Sequence, residues 1–222
     1  TKSTDLKTAR QTLNAYELGK ILPNNWAQRS ERAPLNGSLS FTIGDALPIG
    51  DEQLGYVAAL SYRNGFQRTE TETGYFRTGS RILEASGTRD QYSILWGGLL
   101  DVNFKFAGLH KLSLKNSYNQ TGEDKLSRIA GVDENEQTFR TQVTEWDQRS
   151  LHVAKLSGEH RLPELGDIEV RWQGAYISSL ANEPDRKTAI YSKTASGSGP
   201  FIKALTDRSW SNLHEYTRSA GI

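Results

Sequence analysis

Tyr92, Ile94, Trp96, Gly98, Leu100, Val102, Phe104 and Phe106 share one parity of a continuous stretch, and this alternation constrains the chain most. Ser93, Leu95, Gly97, Leu99, Asp101, Asn103 and Lys105 occupy the other parity. A period of two sends successive side chains to opposite faces of an extended strand. The stretch covers 15 residues. Strands of soluble proteins average ~5–6 residues, and strands that cross a bilayer need ~9–11. The length therefore favours a membrane-spanning strand over a strand of a soluble sheet.

Further stretches alternate in the same way. Leu39, Phe41 and Ile43 oppose Ser38, Ser40 and Thr42. Leu54, Tyr56, Ala58, Leu60 and Tyr62 make a second set, and Leu112, Leu114 and Tyr118 a fourth. Ile168, Val170, Trp172 and Tyr176 make a sixth. The fifth, about 139–162, mixes parities: Leu156 fits one, Leu151 and Val153 the other, and a bulge between them would reconcile the two. A seventh strand is expected from near Arg208 to the end.

Connectors alternate as strictly as the strands. Residues 45–50, 107–110 and 163–167 are short, whereas 67–90, 120–137 and 179–206 are long and polar. Tight periplasmic turns and long extracellular loops give an up-and-down outer-membrane barrel this asymmetry. Tyr62, Phe66, Tyr92, Tyr118 and Tyr176 fall where strands meet the long connectors, and Phe104 and Phe106 near a short one. Aromatic girdles at both interfaces are the membrane reading of that placement; strand preference of aromatic residues is the alternative. The expected fold is all-β, a partial antiparallel transmembrane barrel of about seven strands over 35–222. Residues 6–22 carry one amphipathic helical pattern, stopped by Pro23.

Composition removes several function classes. The net charge of +1, with acids interleaved among the bases, gives nucleic acid no basic face to bind. Absence of cysteine removes thiolate catalysis and disulfides. Absence of methionine places the start of the chain after a processing site or inside a longer protein. No run approaches the ~20 apolar residues of a membrane helix. His110, His152, His160 and His214 are scattered; His152 and His160 share a parity but lie roughly 26 Å apart along a strand. They read as turn and interface residues. Asp133, Glu134 and Glu136 read as a solvated loop, without the ligand spacing of a calcium site. No catalytic residue, metal ligand or cofactor is expected, and the chain is not expected to be an enzyme. Arg63, Asp101, Asn103, Lys115, Glu169 and Arg171 fall on the polar parity and would point into a lumen.

The stretch from Leu54 to Tyr62 resembles an early barrel strand of TonB-dependent outer-membrane receptors. So do Trp96-Gly97-Gly98-Leu99-Leu100, the run from His110 to Asn116, and Leu156-Ser157-Gly158-Glu159-His160 with Trp172 beyond. Asn24-Asn25-Trp26, Ala33-Pro34-Leu35-Asn36 and Glu183-Pro184-Asp185-Arg186 fit the same group, the large receptors with a carboxypeptidase-regulatory-like N-terminal domain. Under this resemblance, 1–34 is a plug-to-barrel junction, and the barrel continues to about 22 strands. It implies residence in the outer membrane of a Gram-negative bacterium and energy-coupled uptake of a siderophore, glycan, peptide or vitamin. The implied partners are outer-membrane lipid, the TonB complex through a plug not present in this chain, the transported ligand, and a surface lipoprotein or other envelope-complex component. A receptor-like barrel with a structural role, a soluble all-β binding module and a passive porin stay open as alternatives.

Overall fold

The computed structural model describes Trp26, Gln28, 31–193 and 199–222. The helix expected over 6–22 lies outside the described residues. Seven strands form one antiparallel sheet in chain order: β1 (Gly37–Ile49), β2 (Glu52–Arg77), β3 (Ser80–Phe106), β4 (His110–Asp133), β5 (Thr138–Leu162), β6 (Ile168–Lys193) and β7 (Ile202–Gly221). The all-β class and the number of strands agree with the alternation. The sheet is open: β1 and β7 are its two edges.

Three expected long loops are instead continuations of the strands. β2 and β3 stay paired to Arg77 and Ser80, where Thr78 and Gly79, both at positive φ (49° and 79°), turn the chain. Positive φ at both central residues is the backbone twist that suits a two-residue hairpin. β4 and β5 continue to a turn built on Asp133, whose Oδ1 accepts the N–H groups of Asn135 (3.0 Å) and Gln137 (2.9 Å). The Asp133 carboxylate is therefore used by backbone. β6 extends to Lys193, and β7 begins at Ile202 rather than near Arg208. Polar side chains on both faces hid these extensions, because alternation marks a strand only where its two faces meet different surroundings.

Two of the short turns lie where expected; the first is tighter, because residues 45–49, expected as a connector, belong to β1. β1 runs through Pro48 to Ile49, leaving only Gly50 (φ 63°) and Asp51 to turn. Pro163–Leu165 forms a single 3-10 turn closed by Gly166 in the left-handed region.

The bulge expected between Val153 and Leu156 is absent. β4 and β5 pair without a break from His110–His160 to Val132–Thr138. Leu151 and Val153 therefore sit on the polar face, where Val153 pairs with Ile177. The register irregularities between elements all fall in the polar extensions, at Tyr75/Phe76, Thr144/Gln148, Glu183/Arg186 and Ile190/Tyr191.

Backbone ladders hold this sheet, not a core. Among the described residues only Ala85 and Ala189 are buried hydrophobics, and no large side chain is fully buried. Leu39 (73% exposed), Phe41 (60%) and Leu60 (63%) lie open on one face.

Candidate functional site

The register assembles the apolar parity into a band with two defined limits. On β2 it runs from Leu54 to Tyr62, on β3 from Phe104 to Trp96, and on β4 from His110 to Tyr118. On β5 it runs from His160 to His152, and on β6 from Ile168 to Tyr176. Each of these pairs is eight residues apart, and on β3 the apolar parity continues beyond its pair to Tyr92 and Phe106, as it does to Leu162 on β5. Every same-face position between them is apolar, Tyr or Gly except Asn116, whose Nδ2 lies 3.1 Å from His152 Nε2. Asp45 on edge strand β1 also interrupts the parity; its Oδ1 accepts the Ala46 N–H at 2.7 Å.

The limits step steadily across the sheet. Leu54 pairs with Phe104 and Tyr62 with Trp96. His110 pairs with Phe106, and Tyr118 with Gly98, two residues nearer the short turns on β3. His160 and His152 continue directly across from them. Ile168 pairs with Leu162 and Tyr176 with Ala154, a further two-residue step. Four residues across four strand spacings is ~13 Å against ~19 Å, a slope of about 35° to the strand normal. That slope matches the ~35–45° tilt of barrel strands. Eight residues span ~26 Å of strand, or ~22 Å after that tilt, close to the ~25 Å apolar belt of an outer-membrane barrel.

Rings line both limits. Trp96 and Tyr118 meet at 5.1 Å, Tyr118 and His152 at 6.4 Å, His152 and Tyr176 at 6.1 Å, and Tyr176 and Tyr216 at 6.3 Å. The lower row joins Phe104, Phe106, His110 and His160, and the Trp172 ring reaches His160 from the middle of the band. Trp172 Nε1 donates to His160 Nε2 at 3.0 Å, and His160 Nδ1 lies 3.2 Å from His110 Nδ1. An indole nitrogen only donates, so His160 Nε2 accepts and its Nδ1 carries the proton offered to His110. Gly158 leaves room for this ring: a Cβ there would collide with the Trp172 indole. The scattered histidines of the sequence are thus brought together in part. Only the register, which places residues 110 and 160 opposite each other, could have revealed the pair.

The six residues expected on the polar parity all lie on the face opposite the band. Lys115 Nζ is 3.3 Å from Asp101, and Asn103 Nδ2 donates to Asp101 Oδ1 at 2.8 Å. Ser113, buried, donates to Asn103 Oδ1 at 2.6 Å and completes this cluster; sequence reading gave it no role. Arg171 and Glu169 pair at 2.6 Å nearer the short turn. Arg63 stands apart, opposite Ser38 and Leu95.

Beyond the upper rings, the extensions carry most of the ion pairs. Arg68 Nε (2.5 Å) and Arg128 Nη2 (3.0 Å) converge on Asp90, tying β2, β3 and β4 together. The Arg68 hydrogen bond, reinforced by both guanidinium charges, lowers the Asp90 carboxyl below its ordinary range despite the opposing effect of partial burial. On the other face, Lys125 lies 2.8 Å from Glu123, 3.3 Å from Glu145 and 3.7 Å from Asp147. Asp124 has no such partner to offset burial, which raises its carboxyl.

No protein-family model matches the chain, and no curated protein is detectably similar to it. Among the described residues no helix is long and apolar enough to cross a membrane, which says nothing of crossing by strands.

Proposed function

We propose that this chain is a section of the wall of an outer-membrane β-barrel, of the TonB-dependent receptor type, that takes up a ligand across the outer membrane. The stepped apolar band carries the reading. A soluble sheet buries one apolar face under a second layer of structure. Here the band is exposed, edged by rings and inclined at a barrel's tilt. Lipid is the partner with that shape. Lipid-exposed edges are not viable in hydrocarbon, so further strands must pair with β1 and β7 to close the wall.

In this reading the polar face lines the lumen, the short turns face the periplasm, and the ion-paired extensions stand outside the cell. Those extensions continue roughly 50 Å along the strands past the ring row, at ~3.3 Å for each of about fifteen residues. They offer a rigid platform for ligand capture. The wall performs no covalent chemistry. Dependence on TonB rests on the resemblance of the strand motifs.

Uptake measured in cells with and without TonB tests the transport assignment. Candidate siderophores, glycans, peptides and vitamins are expected to enter only when TonB and the full-length protein are both present. Uptake of every candidate unchanged by loss of TonB would sink the transporter reading and leave a porin or structural barrel. Extraction of the full-length protein by salt alone, without detergent, would sink the barrel reading itself.

A further inference from the structure

A second row of rings stands past the upper limit of the band, on the band's own face. Phe66 pairs with Tyr92, Tyr92 with Asp124, and Asp124 with Trp146. One step nearer the band, Gly122 pairs with Gln148. The Trp146 indole leans across Gly122, where a Cβ would meet its six-membered ring at 3.0 Å. The sheet thus supports the indole from beneath, while Trp146 remains 38% exposed. Asp124 and Gln148 are diagonal neighbours on either side of it, roughly 7–8 Å apart. Among the described residues, the Asp124 carboxylate, the Gln148 amide and the Trp146 indole N–H make no hydrogen bond or ion pair.

We propose that Trp146, Asp124 and Gln148 form a platform for one sugar ring on the band face of the β4–β5 extension. A sugar ring presents two kinds of surface. Its C–H bonds, slightly positive, stack on the negative face of an aromatic ring. Its hydroxyls both donate and accept. The platform matches them with an acceptor in Asp124, a donor in the Trp146 N–H, and both in the Gln148 amide. An organic cation would use the indole and the carboxylate but leave both donors idle. Lys125 and its carboxylates lie on the opposite face, so the platform is separate from the polar face. Asp124 and Trp146 stand six residues past Tyr118 and His152, ~20 Å of strand. In the barrel reading that position lies outside the wall, at the level of the sugars on an outer membrane's surface lipid. Lipid-borne sugar and free glycan share the chemistry; only the first source rests on the barrel reading.

Fluorine NMR of the full-length protein tests this, with 5-fluorotryptophan incorporated and the protein held in phospholipid nanodiscs. Loss of one resonance in Trp146→Phe assigns the indole. The probes are core oligosaccharide freed from the membrane's own lipopolysaccharide, and maltohexaose, cellohexaose and chitohexaose as free glycans. A saturable shift of the Trp146 resonance is the expected result. Asp124→Ala and Gln148→Ala should each weaken binding about tenfold, as loss of a hydrogen bond would. A response to the core oligosaccharide alone supports the platform with lipid-borne sugar as its source, and a response to a free glycan supports it with captured glycan. An unmoved resonance with every saccharide would overturn the proposal, and so would a shift unchanged in both alanine variants. A response to choline but to no saccharide would replace it with a cation site. Heat-modifiable gel mobility, read on every variant, separates the two claims: an intact barrel with an unmoved resonance defeats only this inference.

Discussion

Trp96 on β3 and Tyr176 on β6 both close the upper limit of the apolar band, yet they are not in register: Tyr176 aligns through Ala154 and Asn116 with Leu100. Neighbouring strands twist and shear past one another, so residues at one height above a barrel's base occupy different register positions. In the proposed wall, a level membrane surface on tilted strands would produce this offset.

Leu99 and Leu100 are neighbours on β3 that point to opposite faces. Arginine at Leu100 should cost about 2–4 kcal/mol, as a charge on the lipid face near mid-depth does. The same change at Leu99 faces the polar side and should be tolerated. Equilibrium folding of the full-length variants into lipid vesicles measures both. Equal penalties at the two positions would mean that the faces have been misassigned.

Trp172→Phe removes the donor to His160 and keeps most of the ring. A loss of ~1 kcal/mol is expected, the usual net worth of one hydrogen bond. Nitrogen chemical shifts of the His160 ring should move from a fixed Nδ1–H form toward a mixture of tautomers. Unchanged shifts would show that the indole does not set the tautomer.

Acid should loosen the outer part of the β2–β3–β4 extension. Asp90 is lowered in the folded state, so its contribution is present at pH values above the unfolded carboxyl value and is lost as the pH falls through the lower folded one. Asp124 is raised, so its own contribution has the opposite sign and favours the folded state as the pH falls. Amide exchange around Arg68 and Arg128 should quicken below the ordinary carboxylate range, and Asp90→Asn should abolish that dependence. A pH response that persists in Asp90→Asn would place its source elsewhere.

Asn36 extends the β1–β2 ladder by one rung made of side-chain atoms. Its Oδ1 accepts the Phe66 N–H at 2.6 Å and its Nδ2 donates to the Phe66 carbonyl at 3.1 Å. Asn36→Ala should speed exchange of the Phe66 amide about tenfold, equivalent to ~1.4 kcal/mol. No change in that rate would show that the backbone alone holds the strand end.

Much of the fold could be read from the parity of apolar residues inside the band. Leu54 to Tyr62 and Tyr92 to Phe106 announce their strands because one face is apolar and the other is not. Residues 67–90 gave no such signal: Arg68, Glu70 and Glu72 share one parity with Asp90, while Thr69, Thr71 and Thr73 share the other, and both faces are polar. Leu151 and Val153 misled for a related reason. A polar face also accepts aliphatics where they pair across strands, as Val153 does with Ile177. The Asp101–Lys115 and Glu169–Arg171 pairs involve residues whose common parity was legible. The His110–His160 contact was not, because it joins residues 50 apart through a turn whose position sequence alone did not fix.

Nitroxide labels placed singly along β3 and β6 of the full-length protein, reconstituted in bilayers, examine the membrane band most directly. Relative accessibility to oxygen and to a water-soluble nickel chelate reports lipid or water contact and depth. On β3, even-numbered positions from Trp96 to Phe104 should contact lipid and odd-numbered ones water, with the deepest point at Leu100. On β6 the deepest point should be Trp172, four residues from the Tyr176 that shares a register position with Leu100. Water contact at both parities, or greatest depth at Tyr176, would contradict a tilted wall spanning the membrane.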